Sequence, residues 1–99
     1  MTDLAALTAA DFEGLEVAEF PRVVGADEPP VTLTLTEVRP GPPRQGTRSA
    51  FRLTFTGPLL ITLDQGTHPL RHPELGDLEL FLVPVGRNEV CMTYEAVLS

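Results

Sequence analysis

The chain has 99 residues, of which 14 are acidic and seven are basic, and its formal net charge is −7. A surface of this sign repels phosphate groups, so the composition argues against nucleic acid and anionic membranes as partners. Ten prolines and eight glycines favour short strands and turns over a helical bundle. The length and the 42% apolar content predict one soluble domain with a single core.

Cys91 is the only cysteine, so we expect neither an intramolecular disulfide nor a cysteine-based metal cluster. The N-terminal sequence MTDLAALTAADFEGLEV has no basic region followed by a continuous apolar region, so it predicts no secretory signal. No stretch approaches the apolar length needed to cross a bilayer. These features predict synthesis in the cytosol without membrane insertion, and they leave later export by a non-classical route open.

A short helix is predicted over residues 8–13. Thr8 can cap its first N–H groups, and Asp11, three residues on, approximates a reciprocal capping box. A helix of this length must dock on other elements to be stable. The following residues 16–24 contain Pro21, which cannot donate to a β-ladder, so they predict an edge strand.

Residues 31–38, VTLTLTEV, alternate between apolar side chains and threonine and predict a half-buried strand. The alternation slips near Glu37, which indicates a β-bulge there. Residues 39–49, RPGPPRQGTRS, contain three prolines and two glycines and predict a long flexible loop.

This loop lies within the chain's one local concentration of positive charge, formed by Arg39, Arg44, Arg48 and Arg52. As functional residues, Arg44 and Arg48 would attract an acidic partner. We favour the alternative, a solvated loop, because of its proline and glycine content.

Residues 50–56 alternate cleanly, which predicts a strand with Phe51, Leu53 and Phe55 directed inward. After Gly57 and Pro58, residues 59–63 are apolar enough to predict a strand deep in the fold. Residues 67–72 predict another short strand, which ends in a hairpin turn at residues 73–76.

Residues 77–85, DLELFLVPV, predict a strand that is apolar on both faces. Leu78, Leu80 and Leu82 share one face, and Phe81, Val83 and Val85 share the other. Such a strand is expected to be covered on both sides. We favour coverage of the second face by the N-terminal helix, with a protein–protein contact surface as the alternative.

The last predicted strand covers residues 90–98, with Met92, Tyr94, Ala96 and Leu98 on one face. Together these elements predict a mainly β fold, a small antiparallel barrel or sandwich of about six strands with the helix across one opening. Residues 1–99 are expected to form a single domain.

No arrangement of side chains predicts catalysis or a cofactor. Asp64, His68 and His72 are the only candidate metal ligands, and four residues of strand span about 13 Å, too far for side chains to share one ion. Polar residues that flank a hairpin explain them better. The acidic side chains are scattered, which favours a solvated face over a catalytic carboxylate pair. We therefore expect a non-enzymatic protein without a metal.

The segments QGTHPLRHPELGDLELFLVPVG and MTYEAVLS resemble a family of small uncharacterised bacterial proteins with the pattern QGxYxLxHPxLGxxxLFLVPIG…YEAVFN. The upstream segments LTAADFEGL and FRLTFTGP extend the resemblance over most of the chain except the proline-rich loop. The chain departs from the pattern at His68, where relatives carry an aromatic residue, and at its end. The resemblance implies a shared fold, a bacterial source and no catalytic residues. It also implies an accessory role in a phage-tail-like or extracellular assembly.

The preferred hypothesis is a structural or adaptor protein that acts through protein–protein contacts, either with a partner or by self-association. Its candidate surface consists of Phe81, Val83, Val85, Arg44 and Arg48. The alternative is a small-ligand-binding barrel in which Leu59, Ile61 and Leu80 line a cavity, although small barrels usually fill their interiors with side chains.

Overall fold

A computed structural model describes residues 7–15, 19–21, 31–41 and 50–98. Its elements are α1 (Ala9–Phe12), β1 (Glu19–Pro21), β2 (Thr32–Pro40), β3 (Phe51–Gly57), β4 (Gly66–His72), β5 (Gly76–Arg87) and β6 (Met92–Leu98). The predicted helix over 8–13 corresponds to α1. Parts of the predicted strand 16–24 and of the predicted loop 39–49 lie outside the described residues, as do Arg44 and Arg48.

The six described strands form one antiparallel sheet in the order β1-β2-β3-β6-β5-β4. The two edge strands approach each other, since Phe20 of β1 stacks on His72 of β4 with ring centroids 4.9 Å apart. The sheet is therefore a nearly closed barrel, and one short helix precedes it in the chain. The predicted fold class is confirmed.

The alternation of apolar residues directs one face of each strand into the barrel. The strand β3 shows this most simply, since Phe51, Leu53 and Phe55 are buried and their neighbours Arg52 and Thr54 are not. The largest fully buried side chains come from α1 and from all the strands: Phe12, Phe20, Leu33, Leu35, Leu53, Phe55, Leu70, Leu78, Leu80, Leu82 and Tyr94.

The strand β2 is longer than predicted, because it continues through Arg39 to Pro40. Its pairing with β3 shifts between Leu35 and Glu37, so the predicted bulge is confirmed. Pro40 is tolerated because it is the last residue of β2, where the missing backbone N–H of proline does not interrupt the ladder. The bulge leaves Thr36 as the extra residue, and its hydroxyl donates to the carbonyl oxygen of Thr54 at 3.1 Å.

The strand predicted over residues 59–63 does not form. The chain from Pro58 to Gln65 consists of bends and irregular backbone, with Leu60 98% exposed and Ile61 36% exposed. Within residues 59–63 only Leu63 is buried. A short apolar run is equally compatible with a strand and with a connection that is anchored at one residue, and the second holds here.

The strand β5 changes partners along its length. Its first half pairs with β4 from Gly76 to Leu82, and its second half pairs with β6 from Val83 to Arg87. The β5–β6 pairing contains a register shift between Pro84 and Gly86, which marks a bulge. One long strand thus links two parts of the barrel wall and carries its outward side chains across both.

The helix α1 lies against β2, and its Phe12 contacts Phe51 of β3 with ring centroids 5.7 Å apart. The Asp11 carboxylate accepts the Thr8 backbone N–H at 2.7 Å, which is the contact that the predicted capping box requires from Asp11. Burial of Phe12 fixes the docking of this short helix. The location of α1 determines which outer surfaces stay open.

Candidate binding surface

The outward face of β5 carries large apolar side chains. Phe81 is 52% exposed and Val85 is 48% exposed, while Val83 is half-buried. Their even-numbered neighbours Leu80 and Leu82 are buried in the barrel, so the two faces of β5 are separated as the alternation predicts. Val85 lies at the register shift of the β5–β6 ladder.

The helix does not cover this face. It packs on β2 and on Phe51 instead, and the exposure of Phe81 and Val85 shows that the favoured interpretation of the sequence was wrong for them. The expectation that β5 is covered on both faces fails for the same reason. We name Phe81, Val83 and Val85 the β5 outer face.

The neighbouring strand β6 also carries outward side chains. Val83 pairs with Glu95, and both side chains are directed outward. Two residues further along β6, Val97 is directed outward and is 60% exposed. The alternation of Tyr94, Ala96 and Leu98 in the sequence contained this signal, because it places Val97 on the opposite face.

Basic residues lie beyond Val97, on β3 and β2. Val97 pairs with Arg52, and Arg52 pairs with Arg39, so the three residues form one outward row across three strands. The Arg39 guanidinium lies 2.8 Å from the Glu37 carboxylate, and that of Arg52 lies 3.6 Å from the Glu95 carboxylate. The sequence placed both arginines in its basic series but did not indicate that they are cross-strand neighbours.

A pocket of about 340 Å³ lies at this row. It is lined by Arg39, Pro40, Gly41, Ala50, Phe51, Arg52 and Val97. A second pocket of about 380 Å³ lies where the two edge strands approach each other, and it is lined by Glu19, Pro21, Thr32, Arg71 and Pro73.

The two candidate histidine ligands make local hydrogen bonds. His68 Nε2 lies 2.7 Å from the carbonyl oxygen of Asp64, and His72 Nδ1 accepts the backbone N–H groups of Glu74 and Leu75. His68 Nδ1 is buried and has no hydrogen-bond partner among the described residues. No group of three histidine, cysteine, aspartate or glutamate residues within the described ranges is placed to hold a metal ion.

An ion pair with two side-chain hydrogen bonds lies on the outside of the β4–β5 hairpin. The Arg71 Nε donates to Asp77 Oδ1 at 2.7 Å, and Arg71 Nη2 donates to Oδ2 at 3.3 Å. The hydrogen bond and charge of Arg71 hold the pKa of Asp77 below its ordinary value, and Asp77 raises the pKa of Arg71. Both side chains are more than two-fifths exposed, so this is a surface ion pair.

Neither of the two pockets described above is lined by the residues named for a ligand cavity. Leu80 is buried in the barrel, whereas Ile61 is 36% exposed and Leu59 is only half-buried in the irregular connection after β3. Aromatic and leucine side chains fill the interior around Leu80, as small barrels require. The open surfaces of the described chain are therefore its candidate sites.

Fold and surface together define a small antiparallel β-barrel domain with an uncovered apolar outer face. Residues 7–98 match the family model of a domain of unknown function, DUF6916, and the chain belongs to this family. Neither a curated protein nor a solved structure matches the chain. Among the described residues, no helix has the length and apolar character required to cross a membrane.

Proposed function

We propose that the protein is a non-enzymatic structural or adaptor domain that acts through protein–protein contacts at the β5 outer face. The exposure of Phe81 and Val85 on β5 carries this proposal. A large aromatic side chain is costly to leave in water and is enriched at protein interfaces, where it supplies apolar area with few rotatable bonds.

The shape of the strand supports this use. Because β5 is paired with β4 as far as Leu82 and with β6 from Val83 onward, the backbone that presents these side chains is held in place. A rigid apolar strip loses little conformational entropy when it binds a partner. Glu79 on β5 and Glu95 on β6 are outward neighbours of the strip and provide polar groups at its edge.

The chemistry of the described residues favours binding over catalysis. Arg71 and Asp77, whose pKa values are shifted, form an exposed ion pair on the outside of a hairpin. Active sites usually shift pKa values through burial in a cleft. His72, which is buried, accepts two backbone hydrogen bonds and stacks on Phe20, so it stabilises the hairpin.

We further propose a bacterial origin and an accessory role in a phage-tail-like or extracellular assembly. The support is the resemblance of the LFLVP and YEAV segments to small bacterial proteins. The LFLVP segment contains Phe81 and Val83, so the segment that carries the resemblance also carries the proposed contact surface.

Size-exclusion chromatography with light scattering tests the contact function. The purified full chain is measured alone and mixed with the products of neighbouring genes, and we expect a complex that elutes as a single larger species. Phe81→Ser should weaken this complex at least tenfold, since hot-spot aromatic residues contribute about 2 kcal/mol or more.

Val90→Ser is the matched control, because Val90 is 81% exposed in the β5–β6 turn and lies outside the β5 outer face. This variant should leave the complex unchanged. A strict monomer that binds no neighbouring product, or a complex that Phe81→Ser leaves intact, would refute the proposal.

A further inference from the structure

Two arginines lie side by side on the outside of the barrel. Arg39 of β2 and Arg52 of β3 are directly paired across the ladder, and their side chains are 65% and 46% exposed. Like charges at directly opposite positions destabilise a sheet. In a chain with seven basic and 14 acidic residues, this pair is a local concentration of positive charge.

The local acidic residues compensate only part of this charge. Glu37 contacts one nitrogen of Arg39, and the 3.6 Å separation of Arg52 from Glu95 exceeds hydrogen-bond length. A guanidinium has five N–H donors in a fixed planar arrangement that suits carboxylates. Both side chains therefore retain donors for a carboxylate that approaches from solvent.

Apolar residues make up most of the lining of the adjoining pocket of about 340 Å³. Pro40 and Val97 are exposed there, whereas Phe51 is directed into the barrel and is only 2% exposed. The Gly41 N–H donates to the carbonyl oxygen of Ala50 at 2.8 Å, and a Cβ atom at Gly41 would lie 2.5 Å from that oxygen. This close backbone pairing builds one wall of the pocket in advance of any ligand.

We propose that this pocket binds an acidic segment of a protein partner, with an apolar side chain against Pro40 and Val97 and a carboxylate on Arg39 and Arg52. The two guanidinium groups are complementary in charge to a carboxylate, and the apolar surface beside them suits a neighbouring apolar side chain. An acidic peptide segment supplies both groups. Four of its seven lining residues are exposed, namely Arg39, Pro40, Arg52 and Val97. Such an open site suits a peptide that lies across it better than a small molecule that must be enclosed.

This inference goes beyond the proposed function, because it concerns a different surface from the β5 outer face. The next outward row toward the other end of β3 contains Glu37, Thr54 and Glu95. Its two carboxylates repel an acidic ligand and attract the two guanidinium groups. They therefore limit the affinity and fix the side from which an acidic segment can approach.

Selection from a random-peptide display library on the purified full chain tests the proposal. We expect enrichment of peptides that combine Asp or Glu with a neighbouring apolar residue. The doubly substituted Arg39→Gln/Arg52→Gln chain should bind these peptides at least about tenfold more weakly, because two exposed ion pairs with the peptide are lost. Glu37→Gln/Glu95→Gln should bind them about two- to fivefold more tightly.

Amide chemical shifts of the ¹⁵N-labelled chain locate the bound peptide, and we expect changes at Gly41, Ala50 and Val97. Phe81→Ser should bind the same peptides unchanged, which separates this site from the β5 outer face. Circular dichroism melting confirms that each variant is folded. Selection without acidic enrichment, or peptides that bind the arginine variant equally well, would overturn the proposal.

Discussion

The backbone N–H of Leu63 donates a 2.9 Å hydrogen bond to the hydroxyl oxygen of Tyr94. Tyr94 lies on the inward face of β6 and is fully buried, so its phenol reaches from the barrel interior to the irregular connection between β3 and β4. Leu63 is itself buried at this point. The bond satisfies the polar end of a large core side chain and fixes a connection that forms no strand.

Replacing Tyr94 with Phe tests this anchor. The ring keeps its packing, but the buried N–H of Leu63 loses its acceptor, and an unsatisfied buried donor costs about 1–3 kcal/mol. We expect a lower urea midpoint with an unchanged m-value, and faster amide hydrogen exchange at Leu63. Thr93→Val, at a neighbouring outward position, should change the free energy of unfolding by less than about 0.5 kcal/mol. Equal stability of Tyr94→Phe and the parent chain would argue against the anchor.

Gly57 occupies an inward position at the end of β3 where a side chain has no room. A Cβ atom there would lie 2.7 Å from Leu33 Cδ2 and 3.3 Å from Tyr94 Cε2. We expect Gly57→Ala to lower the free energy of unfolding by about 1–3 kcal/mol through overpacking. Gly86→Ala is the matched control, since a Cβ atom there meets nothing within 4 Å. If both substitutions have the same effect in urea denaturation, steric crowding at Gly57 is not the cause.

His72 joins the edge of the barrel to the β4–β5 turn. Its ring stacks on Phe20, and its Nδ1 accepts the N–H groups of Glu74 at 3.1 Å and Leu75 at 3.4 Å. His72→Phe keeps a ring but removes the acceptor, so we expect a loss of about 0.5–1.5 kcal/mol. Amide exchange at Glu74 and Leu75 should become faster.

His72→Asn provides the complementary variant, because an Asn side chain can accept from the turn N–H groups but cannot stack. It should destabilise the fold while leaving exchange at Glu74 and Leu75 closer to that of the parent chain. Identical exchange rates at both amides in the two variants would contradict a turn-capping role for His72.

The Arg71–Asp77 pair predicts a specific dependence of stability on pH. Arg71 lowers the pKa of Asp77 in the folded state below its ordinary value of 3.8, so the folded chain binds fewer protons there than the unfolded chain. The stabilisation is present above that ordinary value and is lost as the pH falls through the lower folded pKa. Asp77→Asn should therefore reduce stability at pH 6, and the difference from the parent chain should shrink toward acid.

Urea midpoints between neutral pH and strong acid measure this difference. In an Arg71→Gln background, Asp77→Asn should no longer show the same pH dependence, since its cause is removed. Added salt should also reduce the difference, because both groups are exposed. A difference that stays constant down to strong acid would exclude this ion pair as its source.

Local alternation accounts for the parts of the fold that were predictable from sequence. The inward and outward residues of β3 follow directly from the pattern around Leu53, and the slip after Leu35 marks the β2 bulge. The pattern also separated Leu80 from Phe81 on opposite faces of β5. Each of these features depends on neighbours within a few positions of the chain.

Contacts between distant segments account for the failures. Leu63 is held by Tyr94, which lies far along the chain, and no local pattern distinguishes such an anchored connection from a strand. Whether Phe81 is covered depends on where α1 docks. Because Phe12 of α1 packs on Phe51, Phe81 stays exposed. The pairing of Arg39 with Arg52 required the bulge register between β2 and β3, which the sequence indicated only approximately.

Because β5 pairs first with β4 and then with β6, it is shared by two hairpins that can form early in assembly of the barrel. The β4–β5 and β5–β6 hairpins close short loops, and hairpins of this kind form within microseconds. The pairing of β3 with β6 joins Phe51 to Leu98 and must close most of the C-terminal half of the chain. We therefore expect β4, β5 and β6 to fold first as a three-stranded unit, with β3–β6 docking as the step that limits the folding rate.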